Sequence, residues 1–476
     1  MIARPHASLP TLSIATGLVG LLVSLIGIDG PLPWRDEAAT WIANERSLSA
    51  LRAMLSQIDA VHGVYYLGMR AWVHIFGSSI LSLRLVSALG IGIATALVTV
   101  LAARIGSRSV GPSAGLIFAI LPQATWAGAE ARSFAISTTL GVAAMAAFWK
   151  ASSDGRVAWW ALYSILAAAS VYLFLYVALI YVAVPLTLIW MPRAQQIRGL
   201  IASLIAGLLA TPLALLAIRQ TAQVSWLERY PVTPVQVLQG AFWGVTPTSF
   251  LGSILLIAAL VNAVRLCLSA ESRSKTIFLV AWLVLPTAIL MLMSLRQPMY
   301  TERYVTASAP ALAILLALLI DWLRSYWLKA ITTLLLLATA IPALWISRQP
   351  EAHITASAVA AKLAELTQPG DNVYIVNNDR HVLWWAFHTE MDGLINLGEQ
   401  RTDRWKQNRL KQPSLRVDQI RDRLEKLSHL WVFADRGRLG SSISDFERFG
   451  FAEASRVKVT EGYPVTLVLM RRPASR

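Results

Sequence analysis

Eleven apolar runs recur along the first 346 residues of this 476-residue chain, and nothing else in the sequence constrains its fold as strongly. They lie at Leu9 to Ile28, Ile80 to Ala103, Val110 to Ala127, Phe134 to Trp149, Val157 to Val171, Leu173 to Trp190, Leu200 to Ile218, Phe250 to Leu268, Ile277 to Leu295, Val305 to Trp322 and Tyr326 to Ile346. About 20 apolar residues cross a bilayer as a helix, because hydrocarbon offers no partner to an unpaired backbone N–H or C=O. The stretch from Val157 to Trp190 is long enough for two crossings, with a turn expected near Tyr172 to Tyr176. Composition agrees, with 56% of residues hydrophobic and 14% charged, against about 25% charged in ordinary soluble chains. The fold class is therefore a polytopic α-helical membrane protein. The first run has the length of a span and no small-residue cleavage pattern after it, so it reads as a retained helix and not as a leader.

A formal charge of +15 would suit nucleic acid if it were clustered, but the basic residues are dispersed between apolar runs, which argues against that partner. The single cysteine, Cys267, has neither a disulfide partner nor metal-ligand spacing around it.

Short basic connections fix the expected orientation. Arg4, Arg104 with Arg108, Lys150 with Arg156, Arg193 with Arg198, Arg265 with Arg273 and Lys275, and Arg324 with Lys329 fall in every second connection and mark the cytoplasmic side. The other connections hold Asp36, Glu37, Asp59, Glu130, Glu228 and Glu302, so chemistry is expected on the outer face. An odd number of crossings from a cytoplasmic N-terminus puts the tail outside as well. The first outer loop, 30–79, carries amphipathic runs at Ser47 to Ile58 and Val64 to Phe76, as helices lying in the interface would.

Beyond Ile346 charged residues become frequent. Strand-like Asn372 to Val376, His429 to Ala434, Arg456 to Thr460 and Val465 to Met470, with helical Asp379 to His388, Val417 to Leu427 and Ser441 to Phe449, predict a small α/β domain. The expected division is a membrane domain over 1–346 and an extracytoplasmic domain over 347–476.

Four outer-face clusters carry chemistry. In WRDEAATWIANE, Asp36 and Glu37 form an adjacent acid pair between Trp34 and Trp41. Such a pair can cap a span, serve as a general base, or hold a divalent cation through oxygen ligands. VHGVYYLGMRAW offers His62, Tyr65, Tyr66 and Arg70, either as interfacial anchors or as groups that ligate a metal and stack on a sugar. GAEARSFAI contributes Glu130 and Arg132, and RQPMYTERYV contributes Arg296, Tyr300, Glu302, Arg303 and Tyr304. Arginine grips phosphate oxygens with parallel hydrogen bonds, and phosphate at a bilayer surface is what a polyprenyl-phosphate carrier presents. Among sequence motifs there is no P-loop, dinucleotide fingerprint or G-x-S-x-G.

Four stretches in order, WRDEAATW, VHGVYYLGMRAWVHIFGSSILSLRLVSALG, EARSFAI and RQPMYTERYVTASAPAL, resemble the GT-C superfamily of lipid-carrier-dependent glycosyltransferases. The resemblance is to its protein O-mannosyltransferase-like branch, with the lipid A aminoarabinose transferase and the Rgt-type lipopolysaccharide sugar transferases, and covers about residues 10–325. It implies that Asp36 is the base at an acceptor hydroxyl with Glu37 in support. It also implies that Glu130, Arg132 and Arg303 surround the donor phosphate, with His62 near the donor head group or a divalent metal. Gly63, Val64 and Val86 replace prolines of the family pattern. The resulting expectation is a glycosyltransferase of a bacterial inner membrane that moves one sugar, with inversion, from a polyprenyl-phosphate donor to a cell-envelope acceptor. The rival class is a transporter or flippase for a lipid-linked glycan, which repeated halves and mid-span acids would signal; neither is evident.

Overall fold

The computed structural model describes residues 8–229, 232–244, 246–353, 356–376, 380–399, 415–435, 439–461 and 465–473. Arg4, used above for orientation, lies outside the described residues. The chain forms two compact units, one from residues 1–28 with 59–348 and one from 29–58 with 349–476. The second unit thus includes the first half of the loop drawn above with the membrane domain.

The first unit is helical and polytopic. Among the described residues, seven helices are long and apolar enough to cross a membrane: Ile80–Ile105, Phe134–Asp154, Arg193–Arg219, Ser249–Cys267, Ala270–Met293, Glu302–Trp322 and Tyr326–Ser347. Four shorter apolar helices, Leu9–Leu25, Val110–Ile120, Val157–Leu173 and Leu175–Leu188, fall on the remaining runs. Two runs are broken for visible reasons. Leu121, ahead of Pro122, leaves the helical region (ψ 130°), so Val110–Ile120 stops and a short helix Pro122–Ala127 begins. Phe174 is extended (φ −158°) and separates Val157–Leu173 from a 3-10 segment, Leu175–Val182, that continues as Ala183–Leu188.

Helices in hydrocarbon gain little from apolar burial and associate through close packing and hydroxyl bonds. Leu9–Leu25 meets Ile80–Ile105 along Gly17, Gly20 and Gly92, and Thr16 shares a 2.7 Å hydroxyl contact with Thr99. A methyl on Gly20 would lie 2.3 Å from the Thr95 hydroxyl, so only glycine permits this approach. Helix Glu302–Trp322 is the central one, 78% buried, whereas Arg193–Arg219 is 17% buried and offers its leucines and isoleucines to lipid.

The second unit is a five-stranded mixed sheet with helices. Its strands are β1 Asn372–Ile375, β2 Ile395–Asn396, β3 His429–Asp435, β4 Ala452–Val459 and β5 Val465–Arg471, in the order β2-β1-β3-β5-β4. β1 is parallel to β2 and β3, while β5 is antiparallel to both β3 and β4, so the closing hairpin expected from the sequence extends to Ala452. The helix expected over Val417 to Leu427 is shorter, a 3-10 turn Val417–Ile420 followed by Arg421–Leu424. One sheet face packs on helix Ser357–Leu366 and on Leu383 and Phe387, around Val373, Ile375, Trp431 and Leu467. Ala38 belongs to the same core, which brings helix Arg35–Glu45 into this unit.

Candidate functional site

The sequence-predicted residues fall into two groups, one in each unit. In the second unit, Asp36 and Glu37 lie in the first turn of helix Arg35–Glu45. Negative charge is stabilised at that end, where backbone N–H groups have no intrahelical acceptor. The sequence drew the pair as the tail end of a span; Arg35 instead opens a separate helix after Trp34, whose backbone is extended. Glu37 is fully buried and Asp36 is partly exposed. The helix is held by Ala38 in the sheet core and by Trp41, whose ring stacks on Trp385 at 5.7 Å. Trp34 stacks on His353 at 4.4 Å. Arg46, at the C-terminal cap, is fully buried, and desolvation pulls its guanidinium down to about 10.

In the first unit, His62, Tyr66 and Arg132 are brought together. The turn Ala60–His62 runs straight into helix Gly63–Phe76, which puts His62 and Tyr66 one turn apart. Arg132 precedes helix Phe134–Asp154. Its Nη1 donates to the Tyr66 hydroxyl oxygen at 3.2 Å, and the Tyr66 hydroxyl donates to Asp59 Oδ2. His62 Nδ1 lies 3.2 Å from Ser133 Oγ, and the imidazole stacks near Phe174 at 5.9 Å. Burial first, and then the charge of Asp59, hold the Tyr66 phenol well above its ordinary pKa, so it stays a neutral donor. Tyr65 is buried with its ring 6.2 Å from that of Tyr66.

Glu130 is buried, and its backbone carbonyl accepts from Ser87 Oγ at 2.6 Å and from the Arg132 amide at 2.8 Å. Its charge acts on Arg348, whose Nε donates to Ile26 O at 2.8 Å and whose Nη2 donates to Thr125 O at 3.0 Å. Burial pulls Arg348 down to about 10, with Glu130 opposing and the buried Arg84 reinforcing that shift.

From the late cluster, Tyr304 stacks on Tyr176 at 4.2 Å and meets Phe174 at 5.6 Å, which links it through Phe174 to His62. Arg303 lies over the Trp226 ring at 5.0 Å. Tyr300 is buried, and desolvation, with Glu302 adding to it, raises its phenol pKa. Glu302 is exposed, and its carbonyl accepts from Gln123 Nε2 at 3.1 Å; Arg296 is exposed just past helix Ala270–Met293. Among the described residues no three His, Cys, Asp or Glu side chains gather as a metal-ligand group.

Sequence reasoning missed several members of this network. Ser133 carries no charge or motif, nor do Gln220 and Gln223, whose side-chain oxygens accept from the Ala60 and Asp59 amides; Phe174 looks like any apolar span residue, and Trp226 looks like an interface anchor. Asp59 was visible only as one acid of the outer face.

Among the described residues, the chain runs through eleven apolar helices and then a small α/β unit, with buried arginines and tyrosines at the helix ends. Solved structures with this fold include ArnT from Cupriavidus metallidurans in the apo state, at TM-score 0.59 and 12% identity over 96% of this chain and 97% of that one. The same protein bound to undecaprenyl phosphate matches at TM-score 0.57 and 14% identity, again over 96% and 97%. The Archaeoglobus fulgidus oligosaccharyltransferase in complex with zinc and sulfate is more distant, at TM-score 0.48 and 13% identity over 95% of this chain and 72% of that one. No protein-family model and no curated protein matches the sequence.

Proposed function

We propose that this protein is a membrane glycosyltransferase that passes one sugar from a polyprenyl-phosphate-linked donor to an acceptor hydroxyl of the cell envelope. The observation that carries this reading is the fold: 96% of the chain follows a structure that, in ArnT, has been solved with undecaprenyl phosphate bound. The reaction is a single inverting displacement. Asp36 takes the acceptor proton as the acceptor oxygen bonds to the anomeric carbon, and the carrier leaves as its phosphate. Glu37, buried beside it in the same helical turn, supports that turn. Arg132 and Arg303 bind and stabilise the departing phosphate through fixed donors, with Glu130 beside Arg132 in the chain and His62 toward the donor head group or a divalent metal. Tyr65, Tyr66, Tyr300, Tyr304, Arg296 and Glu302 complete the donor side. We place the protein in a bacterial cytoplasmic membrane with the N-terminus inside and the 29–58 and 349–476 unit outside, which matches the use of a lipid carrier where nucleotide sugars are absent.

Membranes carrying the wild-type chain or Asp36→Asn, supplied with radiolabelled polyprenyl-phosphate sugars, test this reading. Transfer of label by wild type and its loss in Asp36→Asn, with the protein retained in the membrane, supports the mechanism. Equal transfer by both removes Asp36 as the base. No transfer from any donor by either returns the transporter reading.

A further inference from the structure

Asp59 has no role in the reaction as written, yet it is the most constrained residue of the first unit. It is 4% exposed and, among the described residues, the one non-glycine with positive φ (64°). A β-carbon resists that region by about 1–2 kcal/mol, and such strain persists only where surrounding bonds over-determine it. The surrounding bonds are all present. The Asp59 amide donates to Gln223 Oε1 at 2.9 Å, and Gln223 Nε2 donates back to Asp59 Oδ1 at 2.8 Å. The Tyr66 hydroxyl donates to Oδ2, the Ala60 amide donates to Gln220 Oε1 at 3.0 Å, and the His62 amide donates to the Asp59 carbonyl at 3.0 Å.

One carboxylate therefore stands between two arms. Through Tyr66 it reaches the Arg132 guanidinium. Through Gln223 it reaches the 3-10 segment Thr221–Arg229, whose Trp226 lies against Arg303. Anchoring the turn alone does not call for a buried charge, because Ala60 already packs with Val171 and Leu213. A buried carboxylate is a costly anchor where apolar contacts suffice.

We propose that Asp59 is a positioning residue of the donor site, holding Arg132 through Tyr66 and Arg303 through Gln223 and Trp226, so that both arginines point at one phosphate. This rests on the reading that those arginines receive the donor phosphate. It differs from that reading in placing an acid, which no anionic donor would touch, in control of the two cations.

The test is equilibrium binding of undecaprenyl phosphate to the purified full chain in lipid nanodiscs. Asp59→Gly deletes the carboxylate but keeps a residue that adopts positive φ freely, so it separates the side chain from backbone strain. Gln223→Ala leaves Asp59 in place and cuts the second arm, which keeps the test open if Asp59→Gly does not fold. Each variant is expected to bind about tenfold more weakly, the effect of about 1.4 kcal/mol. Arg303→Ala should then lose less in the Asp59→Gly background than in wild type, the non-additivity of residues acting through one network. A role in stability alone would lower the melting temperature and leave affinity unchanged. Binding within about twofold of wild type by both folded variants overturns the proposal and leaves the glycosyltransferase reading standing. Failure of the wild type itself to bind overturns both.

Discussion

Leu383→Ala, in helix Arg380–Ala386 of the tail, should loosen the helix that carries Asp36. Leu383 is fully buried in the sheet core, and Ala38 of helix Arg35–Glu45 belongs to that same core. Truncating a buried leucine to alanine costs about 3 kcal/mol, the sum of lost transfer energy and the cavity left behind. Backbone amides that exchange only when this core opens should lose about a hundredfold in protection, since about 1.4 kcal/mol is a factor of ten. Hydrogen exchange read by mass spectrometry in nanodiscs measures this peptide by peptide. Peptides over Ala38 to Glu45 should lose protection together with those over β1 and β3, while Ile80–Ile105 in the other unit keeps its own. Sugar transfer should fall with the protection of helix Arg35–Glu45. If β1 and β3 lose protection and Ala38 to Glu45 keeps the wild-type rate, the helix is not part of the tail core and the assignment of residues 29–58 to this unit is wrong.

Arg348→Met should lower thermal stability by about 3 kcal/mol, because the carbonyls of Ser24, Ile26 and Thr125 lose a shared buried donor; an unchanged melting temperature in detergent would refute the clasp. Gly252→Ala sets a methyl 2.2 Å from the fully buried Trp243 indole and should destabilise by about 1–3 kcal/mol, with a shift in tryptophan emission as its mark. Tyr66 keeps its proton in the folded chain above pH 10, where the unfolded phenol loses it, so its stabilisation is complete below pH 10 and is lost as pH rises toward the folded value. Tyr66→Phe should therefore lose less stability than wild type as pH rises above about 10, in paired denaturation curves; parallel curves would contradict the raised pKa.

The spans were legible because each is a local property of about 20 residues, and even the interruption at Leu121 is announced by Pro122. The closing hairpin was legible for the same reason, with alternation visible in Val465 to Met470. Strand β2 has two residues, Ile395 and Asn396, too few to show any period. The grouping of helix Arg35–Glu45 with the tail was hidden because its apolar face is little more than Ala38, Trp41 and Ile42, and the partners come from the far end of the chain. Arg132 and Arg303 stood out by charge, whereas the Asp59 turn did not: its partner Gln223 is 164 positions away, and a neutral amide between apolar runs carries no signal.

The interleaving of the two units has a consequence for biosynthesis. Ala38 precedes Leu383 by 345 positions, and most of the membrane unit is made between them. At about 5–20 residues per second, the Asp36 helix emerges roughly 20 to 70 seconds before the core it packs into. Until then it is a short helix without its native neighbours, too short to persist in isolation. The acid pair therefore acquires its native neighbours only after the later spans are made and β1, β3 and β5 have formed, so the synthesis of the membrane unit separates this helix from the core that holds it.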